Sequence, residues 1–150
     1  RKRLATLLDE EVSRLQGRGE RVFLGGLSQG CTAALDIYLM EARRLRLGGF
    51  VGSVGFLPSD KLGFPGADKA LEALLADKEQ AAQPVFLQSA EDDQWVPWEE
   101  LVLPSLEGAL GRWPGLKLRP VHGRGHVIEQ WEGDLLNEFM SQHAKEAYNS

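Results

Sequence analysis

Gly26-Leu27-Ser28-Gln29-Gly30 has the form G-x-S-x-G. A serine framed in this way can sit on a sharp strand-to-helix turn that lifts Oγ above a sheet as a nucleophile. Glycines at 26 and 30 are expected to avoid side-chain collisions in that turn. The Gln29 amide and the start of the following helix are expected to face a developing oxyanion. A serine nucleophile needs a base, and His122-Gly123-Arg124-Gly125-His126 supplies two imidazoles, which change charge near neutral pH. His126 is the preferred base because it leads into the last helix after a flexible Gly-x-Gly approach. His122 is nearer the strand end and reads as structural. The base in turn needs an acid to hold its tautomer. Asp92 and Asp93 lie between serine and histidines in chain order, and Asp93, which opens Asp93-Gln94-Trp95-Val96-Pro97, is preferred. The plainer alternatives are a glycine-rich turn with an incidental serine, a solvated acidic loop and surface histidines.

Other residues could take part in the same chemistry. Cys31 follows the turn and could be an activated thiol at a helix N-terminus, but reads better as a small buried residue. Trp95 and Trp98 flank the acidic loop, where they either line an apolar acyl pocket or only pack. No metal is expected, because His122 and His126 lack an H-E-x-x-H frame or a nearby cysteine. A dinucleotide fingerprint beginning at Gly25 would need glycine where Leu27 stands.

The elements that would position these residues follow from periodicity. Leu4, Leu7, Leu8, Val12 and Leu15 recur at helical spacing, and Gly17 stops that helix. Arg21–Gly25 reads as a buried strand and Thr32–Leu47 as a helix. Phe50–Val54 is a second strand, Ala67–Gln80 a helix and Val85–Ser89 a third strand. Trp98–Trp113 reads as a helix that Pro104 must kink or split. Leu116–Val121 alternates apolar and polar residues, as a half-exposed edge strand does. A last helix carries Trp131, Leu135, Leu136, Phe139 and Met140. Strands alternating with helices predict a parallel sheet in a three-layer α/β domain, with function in loops at the carboxyl ends of the strands.

The chain has 150 residues, 43% of them hydrophobic, which suits a single domain. Its net charge of −5 argues against a nucleic-acid surface. No apolar run reaches the roughly 18 residues that a transmembrane helix needs. One cysteine rules out an internal disulfide.

Four stretches resemble the α/β-hydrolase superfamily, and more narrowly the carboxylesterase/phospholipase group that includes acyl-protein thioesterases. Phe23 to Gly30 is similar to that family's nucleophile turn, and Gly49 to Pro58 to its next strand and small-residue turn. Pro84 to Pro97 resembles its acid loop with D-x-x-V-P, and Gly123 to His126 its G-x-G-H loop. Ser89-Ala90 departs from the His-Gly usual in that acid loop. The resemblance implies hydrolysis of acyl thioesters or carboxylic esters, including those of acylated proteins, by Ser28, His126 and Asp93 without a cofactor. It also implies that 1–150 is the C-terminal part of that fold, with a second oxyanion donor in an absent front half. The rival expectations are an inactive hydrolase-like fragment serving as an interaction module, and a flavodoxin-like binding domain. The open sheet edge of a truncated fold is expected to self-associate, and the expected compartment is the cytoplasm.

Overall fold

The computed structural model describes residues 1–123, 125–126 and 130–149, the side chains of 130–132 and 144–149 excepted. Four parallel strands lie in the order β1-β2-β3-β4: Phe23–Leu27, Gly49–Ser53, Val85–Ala90 and Leu116–Val121. Helices connect them: α1 (Lys2–Arg14), α2 (Gln29–Leu45), α3 (Ala67–Ala76), α4 (Lys78–Ala81), α5 (Leu103–Leu106) and α6 (Gln130–Asn149). Each strand pairs in register with the one before it, Leu24 opposite Phe50, Phe50 opposite Val85 and Val85 opposite Leu116. Such stepwise parallel pairing requires a crossover between successive strands.

The pleat sends alternate residues to opposite faces. Leu24, Phe50, Val85 and Leu87 join the main core with Leu35, Leu39 and Ala42 of α2 and Leu71 and Leu74 of α3. Phe23, Val51 and Phe86 face the other way, against Leu135 and Phe139 of α6. The expected three layers are therefore present. The inner strands β2 and β3 are buried along their whole length, as parallel strands covered on both faces should be. β4 is partly exposed at one edge, as its alternation predicted. There Arg119 lies over the Phe86 ring and donates to Glu138 of α6 at 2.9 Å, tying the edge to the helix.

Several boundaries differ from the sequence reading. Arg21 belongs to a single tight turn, Gly19–Arg21, and the first strand runs on to Leu27 instead of ending at Gly25. The expected helix Ala67–Gln80 breaks at Asp77, whose carboxylate accepts the Gln80 amide at 3.1 Å and caps a second short helix. The expected helix Trp98–Trp113 is a wide turn over Trp98–Val102 followed by α5, with Pro104 in its first turn, where the missing N–H costs nothing. In α1 only Leu8 and Val12 are buried, while Leu4 and Leu7 remain 44% and 46% exposed. Arg1 reaches from that end to the buried Asp36 with two 2.7 Å bonds.

β1 is the other edge. Among the described residues it pairs with β2 on one side and with no strand on the other. Two grooves run along it, about 330 and 390 Å³, lined in part by Leu27, Val51, Leu136 and Met140.

Candidate active site

The serine comes to its position through backbone strain. Ser28 has φ 54° and ψ −128°, a conformation that a non-glycine residue adopts at a cost. Its amide donates to the Ser53 carbonyl at 3.0 Å, so the β1–β2 ladder continues into the turn. The next residue already begins α2. The turn is thus a single residue, tighter than the gap of 26–31 between the expected strand and helix. Gly26 makes this possible: a Cβ there would lie 2.3 Å from the Gly30 carbonyl oxygen and 2.7 Å from the Cys31 nitrogen. Gly30 does not share that role, because a Cβ on it would meet nothing within 4 Å. The expectation that both glycines avoid collisions is corrected for Gly30, which sits in the open first turn of α2.

The Cys31 and Thr32 amides both donate to the Ser28 carbonyl. The Gln29 amide precedes them and, as the first N–H of α2, has no acceptor within the helix. It stands beside Ser28 at the positive end of the helix dipole.

Asp93 lies in the loop after β3 and is 4% exposed. Its Oδ1 accepts the amides of Trp95 at 2.7 Å and Val96 at 3.0 Å. Its Oδ2 is 2.7 Å from His126 Nδ1, and His126 Nε2 is 2.9 Å from Ser28 Oγ. The three side chains form one continuous line from residues 65 and 33 positions apart. His122 lies elsewhere: its ring is 85% exposed and pairs through Nδ1 with Glu91. Asp92 turns from Asp93 to the neighbouring loop, where its Oδ1 accepts the Gly125 amide at 3.1 Å. The sequence weighed Asp92 only as a rival of Asp93, since no spacing rule points from a carboxylate to a backbone amide.

Trp95 is 80% exposed at the rim of the acid loop, whereas Trp98 is 7% exposed within the main core and presents almost no surface to a ligand. Among the described residues no group of three His, Cys, Asp or Glu side chains is placed to hold a metal ion. No helix among them is long and apolar enough to cross a membrane.

Cys31 is buried beneath the turn, where its sulfur would be only 2.4 Å from a Cβ on Gly52 and 2.5 Å from one on Gly55. Burial pushes its thiol up to about 12. Thiolate is the reactive form, so in the folded chain Cys31 resists a disulfide-exchange reagent at neutral pH and reacts promptly in denaturant. Stoichiometric reaction of the native chain within minutes would contradict this placement.

With the geometry in place, its relatives can be named. A family model described as Phospholipase/Carboxylesterase matches residues 1–144. The chain belongs to the phospholipase/carboxylesterase family. A curated relative, acyl-protein thioesterase 1 homolog 1 from Dictyostelium discoideum, is 28% identical over 144 residues, covering 93% of this chain and 56% of the relative. The crystal structure of Zea mays acyl-protein thioesterase 2 superposes with a TM-score of 0.64 at 19% identity, over 80% of this chain and 55% of that one. Arabidopsis thaliana SOBER1 gives 0.60 at 20% identity, over 95% and 61%. These likenesses show that the family's α/β-hydrolase fold is shared. The chain spans little more than half the length of the relatives it matches.

Proposed function

We propose that Ser28, His126 and Asp93 are the nucleophile, base and acid of a serine hydrolase acting on acyl thioesters or carboxylic esters. The observation that carries this reading is the unbroken Ser28–His126–Asp93 line, with contacts of 2.9 and 2.7 Å. Ser28 Oγ attacks the acyl carbonyl while His126 Nε2 takes its proton. Asp93, accepting from Nδ1, stabilises the imidazolium. The carbonyl oxygen gains negative charge in front of the Gln29 amide. The tetrahedral intermediate then collapses, the leaving thiol or alcohol takes the proton from His126, and the acyl group stays on Ser28. Water, deprotonated by His126, attacks that ester and releases the acid. These steps use protein groups and water alone.

The Dictyostelium relative's name supports acyl groups carried on proteins as the substrate class. Exposed Trp95 is placed to contact such a group beside the acid loop. Within this reading we assign the chain to the cytoplasm, a reducing compartment that suits one unpaired cysteine. A fluorophosphonate probe tests the nucleophile directly. Labelling of the native chain that disappears in Ser28→Ala supports the reading, and labelling elsewhere refutes it.

One observation favours a second reading, an interaction module. Among the described residues the outer edge of β1 pairs with no strand, and Leu136 and Met140 beside it are 48% and 38% exposed. An open apolar edge strand is a template for pairing with another strand. The chain at micromolar concentration is therefore expected to sediment as dimers or larger species. A monodisperse monomer with full esterase turnover would refute the edge as an association surface.

A further inference from the structure

The loop that carries His126 holds two glycines in the left-handed region of backbone space. It leaves β4 at Val121 and passes through Gly123 and Gly125, at φ 67° and 56°. A Cβ added to either glycine would meet nothing within 4 Å among the described residues. Glycines in such a loop leave many conformations open. A base that must stay in line with a nucleophile cannot be left on such a tether, since a displacement of about 1 Å costs about 100-fold in rate.

Among the described residues, the run Glu91-Asp92-Asp93 makes contacts to this loop and its approach. The Glu91 amide donates to the Val121 carbonyl at 2.9 Å, and the Glu91 side chain pairs with His122. Asp92 Oδ1 accepts the Gly125 amide at 3.1 Å, and Asp93 Oδ2 accepts from His126 Nδ1 at 2.7 Å. Of these contacts the one through Asp92 has a distinctive place. Asp92 precedes the acid in sequence, and Gly125 precedes the base. Asp93 alone fixes one ring atom and leaves the ring free to pivot about that bond. The Asp92 bond anchors the backbone N–H of Gly125, one residue before His126, which limits that pivot.

We propose that Asp92 is a positioning residue, whose carboxylate oxygen holds the Gly125 amide and so keeps His126 aligned between Asp93 and Ser28. The proposal rests on the reading of Ser28 and His126 as nucleophile and base. A carbonyl oxygen can accept the same amide, so asparagine should serve in place of aspartate, whereas alanine cannot. This separates a positioned acceptor from a merely negative neighbour.

The test compares Asp92→Ala, Asp92→Asn and Ser28→Ala in the full chain, by p-nitrophenyl ester kinetics and by the low-field NMR signal of the His126 Nδ1 proton. Asp92→Ala should lower kcat about 10- to 100-fold with KM within about twofold, and should weaken or remove the low-field signal. Asp92→Asn should restore most of both. Wild-type kcat and an intact signal in Asp92→Ala would overturn the proposal, as would equal losses in the alanine and asparagine variants. Turnover that survives Ser28→Ala would overturn the nucleophile reading instead, and the His126 signal in the two Asp92 variants would still decide the role of Asp92.

Discussion

Ser28→Ala is expected to lower ester turnover by about four to six orders of magnitude, and His126→Ala by a similar amount, because members of such a unit fail together. Ser28 Oγ is the hydroxyl in line with His126 Nε2, and Asp93 is fixed behind the ring by two backbone amides. The nearest alternative nucleophile, Cys31, is wholly buried against Gly52 and Gly55, with its thiol held protonated. It cannot take over, so Cys31→Ala should retain most of the turnover. Initial rates on a p-nitrophenyl ester, with circular dichroism to check the fold, settle the comparison. A Ser28→Ala protein retaining a tenth of the wild-type rate would remove Ser28 from the mechanism.

Gly26→Ala is the substitution with the largest expected structural effect. The new methyl would sit 2.3 Å from the Gly30 oxygen, 2.5 Å from its carbonyl carbon and 2.7 Å from the Cys31 nitrogen. All three are backbone atoms of the first turn of α2, so no side chain can swing aside. Relief requires lifting α2 from β1, which would pull Ser28 away from His126. The expected cost is about 3 kcal/mol or more of stability, together with loss of fluorophosphonate labelling. Gly30→Ala is the internal contrast. It adds a methyl into open space within a helix and should stabilise by about 0.5–1 kcal/mol. Urea denaturation of both variants measures the difference. Equal stability of the two alanine variants would show that the turn does not need a bare Cα at 26.

How far the sequence revealed this arrangement depended on which interaction governed each segment. Phe50–Val54 and Val85–Ser89 were legible as strands because each is a short, mainly apolar run opened by a glycine pair or a proline, and the observed strands lie within one residue of those limits. The alternation of Leu116–Val121 placed it at an edge for a similarly local reason. The convergence of Ser28, Asp93 and His126 was legible only through motif and chain order, because no periodicity carries contacts across such separations. Local polar competition was missed. Asp77 breaks a helix that propensity alone would continue, by offering its side chain to the Gln80 amide. The role of Gly30 was misjudged because its pattern with Gly26 looked symmetric, although only Gly26 faces backbone. The contact of Asp92 with Gly125 is between loops, and loops carry no repeating signal from which a register can be read.

The order β1-β2-β3-β4 also sets a timetable. Each strand docks beside the one made just before it, so the sheet can extend as the polypeptide lengthens, with modest loop-closure cost at every addition. The Ser28–His126 contact is different, because it joins residues 98 positions apart and closes across the whole sheet. During synthesis the nucleophile strand emerges early and the imidazole late. A nascent chain would therefore carry an ordered but chemically silent serine until β4 is in place. Reactivity toward a serine-directed probe would then appear only after β4 has docked and His126 has emerged, so it reports closure of the sheet.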